Sequence, residues 1–190
     1  MVDIGGDIMG SIMMRALLLG LALAVSGVPA AEADSKGEID AKVKSALSVF
    51  YSEVGAGKEL AEKASGVLVF PEVFKAGVAV GGEYGEGALL IKGKTVAYFN
   101  IVGGSVGFQF GAQVKSEVIL FMTPKALENF RDSHGWKAGV DGSIAVINIG
   151  AGDEIDVIAR KEPIIGFIFS NRGLMYNLTF EGAKITRLHK

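Results

Sequence analysis

The chain has 190 residues, 49% of them hydrophobic and 21% charged, with 19 Lys and Arg against 21 Asp and Glu. That suits one domain with a short appendage and a sizeable core, and it excludes a disordered chain. Cysteine is absent, which excludes a disulfide framework, a Cys-ligated metal, a Cys nucleophile and a lipoprotein's lipidated cysteine.

The first element is a targeting segment. Arg15 precedes an apolar run from Ala16 to Val25, then Gly27, Pro29 and the small-residue stretch Ala31-Glu32-Ala33. This is the layout of a secretory signal peptide over residues 1–33, with Asp34 opening a single mature domain over 34–190. The run is shorter than the roughly 20 apolar residues a spanning helix needs. Asp3 and Asp7 stand upstream with no basic residue, so translation is expected to start at Met13 or Met14. The protein is therefore expected to be exported, to the periplasm or cell envelope. Removal of Arg15, Asp3, Asp7 and Glu32 leaves 18 basic and 18 acidic side chains. A neutral chain has no long-range attraction for nucleic acid, and attraction to anionic lipid must come from local patches.

From Ser35 to Gly66 the chain reads as helical. Ile39, Val43, Leu47, Phe50 and Val54 recur every three to four residues and line one face. Gly55 and Gly57 break the run, and Lys58 to Ala64 restart it as a short second helix. Beyond Gly66 the pattern turns to strands. A short one, Gly66 to Phe70, is closed by Pro71. Others are expected at Ala76 to Tyr84, Ala88 to Ile91 and Thr95 to Ile101, with Lys92-Gly93-Lys94 as a turn. Ser105 to Val114 alternates, with Val106, Phe108, Phe110, Ala112 and Val114 on one side and Gly107, Gln109, Gly111 and Gln113 on the other. Glu117 to Met122 follows. Thr123 then caps a helix that begins at Pro124 and carries Ala126, Leu127 and Phe130 on its apolar side. Ser143 to Ile149, Ile155 to Ala159, Ile164 to Phe169 and Leu174 to Phe180 complete the strands, with a turn at Gly150 to Asp153. The fold class is α+β: a strongly curved, mainly antiparallel sheet with an N-terminal amphipathic helix region and one further helix. The pattern does not fix whether the sheet closes into a barrel.

Several motifs invite chemistry and fail on context. Gly103-Gly104-Ser105-Val106-Gly107 matches the hydrolase nucleophile elbow, which needs a strand, a sharp turn and a helix. Ser105 instead opens an alternating strand, and the two histidines, His134 and His189, make no triad. The glycines from Gly81 to Gly87 lack the ending of a phosphate loop and suit a bulged strand pair. Asp153, Glu154 and Asp156 do not have EF-hand spacing, so no metal and no cofactor is expected. Asn177-Leu178-Thr179 is a glycosylation sequon by sequence alone. The chain is read as no enzyme.

Three segments carry a family resemblance. Phe70-Pro71-Glu72-Val73-Phe74-Lys75-Ala76-Gly77 leads into Gly81-Gly82 and Gly85-Glu86-Gly87. Gly104-Ser105-Val106-Gly107-Phe108-Gln109-Phe110-Gly111-Ala112-Gln113 runs on to Glu117–Thr123. Ser170-Asn171-Arg172-Gly173-Leu174 stands near the end. Together they resemble the SYLF domain, from Ile39 to Leu188. The resemblance implies a domain that binds phospholipids, with phosphoinositides preferred by eukaryotic members. Actin binding, known for some of those, is not carried over to an exported protein. Met175, Tyr176 and Asn177 replace the family's small residues after Gly173-Leu174, which bears on head-group preference.

On this reading the expected partner is anionic phospholipid at a membrane surface. Lys75, Lys92, Lys94, Lys115 and Arg172 are the candidate head-group contacts, and Phe70, Val73 and Phe74 the candidate inserting residues. Each singly also reads as a solvated charge or ordinary core; the expectation is that they converge. A second reading is a structural envelope protein that self-associates as a homo-oligomer, or pairs with a partner strand, through the glycine-rich edge from Gly103 to Gln113.

Overall fold

The computed structural model describes residues 33–147, 161–173, 180 and 182–190, with backbone alone described at 78, 79, 105–110, 171 and 173. Most of the signal segment, the strand expected at Ile155 to Ala159, most of that at Leu174 to Phe180, the 150–153 turn, the acids at 153–156 and the sequon lie outside the described residues. Asp34–Lys190 forms one compact unit. No helix among the described residues is long and apolar enough to cross a membrane.

The unit opens on helix α1, Lys36–Glu53. Ser35 caps it: its hydroxyl accepts from the Glu38 N–H at 3.3 Å, and the Glu38 carboxylate accepts from the Ser35 N–H at 2.7 Å. Two N–H groups without intrahelical partners are thereby satisfied. Ser35→Ala is expected to cost about 1 kcal/mol in a urea melt. Ile39, Val43, Ala46 and Phe50 are the buried stripe. After the Gly55 break, helix α2 spans Gly57–Lys63 and buries Leu60.

Two long strands follow where the sequence reads several short ones. Strand β1 is Gly66–Ile91 and β2 is Lys94–Phe121. They are joined at Lys92-Gly93, both at positive φ, as a two-residue hairpin turn requires. Pro71 does not end a strand. It sits in a bulge of β1, where Pro71 and Glu72 together oppose Ser116. Proline is tolerated there because no ladder N–H is needed. The Ser116 hydroxyl donates to the Pro71 carbonyl at 2.7 Å and fills the gap.

Strand β1 also doubles back on itself. A Cβ added at Gly85 would meet the Glu72 carbonyl and Val73, and one at Gly87 would meet the Val69 carbonyl and Phe70. One at Gly77 would meet the Gly81 backbone. The two halves of the hairpin thus stack, backbone against backbone, around residues 78 and 79.

The remaining elements extend this frame. Helix α3, Pro124–Asp132, is capped by the Thr123 hydroxyl, which accepts from the Ala126 N–H at 3.2 Å. Strands β3 (Trp136–Lys137), β4 (Ala145–Ile147), β5 (Ile164–Gly173) and β6 (Lys184–Leu188) complete the sheet. The order is β3-β6-β2-β5-β4, with β1 on β2; β6 pairs the first half of β2 and β5 its last part. Among the described strand pairs only β4–β5 is parallel. The result is the strongly curved, mainly antiparallel α+β fold.

Both faces are buried near the helices. Val67, Val69, Val118 and Leu120 join Ile39, Val43 and Phe50 under α1 and α2. Phe50 meets Phe167 edge-on at 5.0 Å between centroids. Leu68, Phe70, Ile119 and Phe121 turn the other way, onto α3 and Trp136. There Phe130 packs on Phe121 at 4.7 Å and on Phe99 at 5.0 Å.

Candidate functional site

Ser116 marks a place where the sheet is irregular on both sides. Against β1 lies the Pro71-Glu72 bulge. Against β5 the register moves from Ser116↔Phe169 to Val114↔Arg172, so Ser170 and Asn171 together oppose Lys115, one residue more than a regular ladder holds. Ser170 takes φ 51°, unusual for a residue other than glycine. Bulges re-aim side chains and bend a sheet, and here two do so at the same level. Their product is an open groove of about 530 Å³ between α1 and the sheet. Ser116, Ser170, Arg172 and Val114 form its sheet wall, and Lys42, Ser45 and Val49 its helix wall. Two segments singled out in the sequence, Phe70–Gly77 and Ser170–Leu174, meet here.

The charges in the groove are unequal. Lys42 is held between Asp34 at 2.8 Å and Glu72 at 3.1 Å, and the hydrogen bond it donates to Asp34 raises its pKa. Arg172 is exposed and forms no ion pair with the described residues. Its planar fork, beside three hydroxyls, can grip an anion with two oxygens.

The other sequence-proposed residues scatter. Phe70 and Val73 are fully buried, with one core cluster. Phe74 alone of the three is exposed, at 53%. Lys92 and Lys94 are exposed at the β1–β2 turn and line none of the groove. Lys75 is 6% exposed and Lys115 is 1% exposed. The surface patch expected from the sequence therefore does not assemble from Lys75, Lys115, Phe70 and Val73. The reason is the bulge at Pro71: Phe70 and Val73 pair with Glu117 and Lys115, so they share a face, and Phe74 falls on the opposite one.

Lys115 instead belongs to an interior ionic cluster between the stacked halves of the hairpin. Its ammonium lies 2.7 Å from Glu117 and 3.2 Å from Glu83. Burial pulls the Lys115 pKa down, but the charges of Glu117 and Glu83 outweigh it and the net shift is upward. Burial pushes Glu117 up to about 7, against the pull of Lys115 and, more weakly, Lys75. Sequence reading missed Glu83 and Glu117, and also Lys42, Ser45, Ser116 and Ser170. Only the odd spacing of Lys115 and Glu117 in an apolar strand hints at the first pair.

β2 runs unbroken through Ser105, so the strand–turn–helix of a hydrolase elbow is not formed there. Residues 102–190 match the family model Ysc84, described as Las17-binding protein actin regulator. The match takes in Val114, Ser116, Ser170 and Arg172, while Lys42 and Glu72 precede it. No curated protein matches the chain.

Proposed function

Because the chain belongs to the SYLF family, through the Ysc84 match over residues 102–190, and that family is one of binding domains, we propose that it binds anionic phospholipid head groups reversibly and without chemistry. The observation that carries this is the pair of bulges flanking Ser116, beside which Arg172, with no ion pair among the described residues, lines an open groove with Ser116, Ser170 and Ser45. A phosphate there would accept from the guanidinium and the Ser170 hydroxyl, and also from Ser116 and Ser45 once their hydroxyls turn from the Pro71 and Ala41 carbonyls to which they donate. A phosphoinositide head group is one ligand of this chemistry. The signal-peptide pattern, and a compact unit that begins at Asp34, support a site of action in the bacterial envelope after export. Binding of Las17 and regulation of actin belong to the family's description, and an exported chain would not meet either.

The test is co-sedimentation of the processed chain with neutral vesicles and with vesicles containing anionic phospholipid, at low and high salt. Binding to the anionic vesicles alone, weakened by salt, is expected. Arg172→Gln should weaken it about fivefold, the equivalent of roughly 1 kcal/mol for one cation near an anionic surface. No binding to either vesicle ends the reading. Concentration-dependent oligomers would then favour self-pairing, since among the described residues 103–112 of β2 pairs with β1 alone.

A further inference from the structure

Beyond the double bulge the hairpin is polar inside and apolar outside. Val69 pairs with Val118 and Phe74 with Val114, so Phe74 and Val114 lie on the sheet face that α1 buries lower down. Past α1 the described side chains of that face are exposed. Phe74 is 53% exposed, Val80 66%, Tyr84 45% and Val102 46%. Between Phe74 and Tyr84 the charged residues are Lys75 and Glu83, and between Val102 and Val114 there are none. Both turn inward: Lys75 is buried, and the Glu83 side chain is 8% exposed against Lys115. Burying charge while exposing Phe and Val is the reverse of what water selects, and such a patch marks an interaction surface.

Resting on the phospholipid reading, we infer that this apolar face enters the apolar edge of the bilayer, Phe74 and Val80 first, while the groove holds the head group. Two features on the molecule favour lipid as the occupant. Val114 belongs both to the groove wall and to the exposed face, so head-group and acyl levels are contiguous. Around Phe74, Val80 and Val114 the two strands bring no outward charge whose desolvation would oppose entry, and Lys184 opposite Val102 and Glu86 at the Tyr84 hydroxyl lie at the far end of the face.

The chain has no cysteine, so single-cysteine variants report one position each. Phe74→Cys and Val80→Cys would carry an environment-sensitive fluorophore, with Lys125→Cys on α3, an exposed site, as control. The protein is purified from cells expressing the full chain and mixed with vesicles containing anionic phospholipid. A blue shift at 74 and 80, quenched by lipids brominated on the acyl chain, with no change at 125, is expected. Phe74→Ser should also weaken vesicle binding about tenfold, as loss of one inserted aromatic side chain predicts. Co-sedimentation with water-like emission at 74 and 80 overturns the inference and leaves head-group binding standing. No co-sedimentation removes both. A blue shift that appears without vesicles and grows with protein concentration assigns the face to a second copy of the chain and overturns it as well.

Discussion

Lys115→Met is expected to destabilise the domain by about 3–5 kcal/mol at pH 8, the usual cost of removing one partner from a buried ion pair. The lysine side chain is fully buried, 2.7 Å from Glu117 and 3.2 Å from Glu83. Without it two carboxylates face each other across the stacked hairpin with only Lys75 near. The loss should depend on pH, and its sign follows from Glu117. Burial raises that carboxyl to about 7 in the folded protein, above its ordinary 4.5. A carboxyl with a raised folded value binds its proton more tightly when folded. Its contribution therefore favours folding below 4.5 and is lost as pH rises through about 7. In Lys115→Met the folded value rises further, so the deficit at pH 8 should shrink markedly at pH 5. Lys115 has the opposite range: its folded value lies above 10.5, so its support holds at neutral pH and fades only in strong base. Urea melts at pH 5 and pH 8 decide the matter. A deficit below about 1 kcal/mol, or one equal at both pH values, would mean the cluster is not the buried ionic lock described. Glu117→Leu added to Lys115→Met should recover part of the loss, because an apolar replacement removes a stranded charge. Arg172→Gln should do the reverse of Lys115→Met, sparing stability and weakening vesicle binding. Two cations grouped as one patch by sequence are thus separable by experiment.

The contrast shows where local signals suffice. Helix α1, the Gly55 break, α2 and α3 were legible because caps, periodicity and an initial proline act over a few residues. So was the Lys92-Gly93 turn. The strand boundaries at Pro71 and at the glycines were not, because a breaker in a sheet can be absorbed as a bulge without ending the strand. The same bulge misled the site. A straight strand would place Phe70 and Phe74 on one face; one extra residue at 71–72 puts Phe70 in the core and Phe74 in water. Alternation from Ser105 to Val114 was also visible. Its sidedness was not: at its described end Gln113 is buried while Ala112 and Val114 face out. Which side meets water depends on the hairpin folding over itself, and that is a long-range fact. Arg172 was found through its motif, but the residues that make it a site, Ser116, Ser170 and Ser45, come from three elements.

Gly87→Ala tests that folding-over directly and is expected to cost 3 kcal/mol or more, beyond the ordinary range for added volume in a core. A Cβ at Gly87 would overlap the Val69 carbonyl oxygen and stand 2.7 Å from the Phe70 ring. The carbonyl is backbone and cannot swing aside. The halves of β1 would have to separate, and Val69 and Phe70 belong to the two different core clusters. Both clusters would loosen at once, so a variant that stays folded should show a lower midpoint and earlier hydrogen exchange throughout β1. Gly37→Ala in α1 is the control. Nothing lies within 4 Å of its added Cβ, and the helix should gain about 0.5–1 kcal/mol. If Gly87→Ala is as stable as the parent, β1 does not double back. The inward placement of Lys75, Glu83 and Lys115 would then fall, and with it the reason the outer face of the hairpin is left to apolar residues.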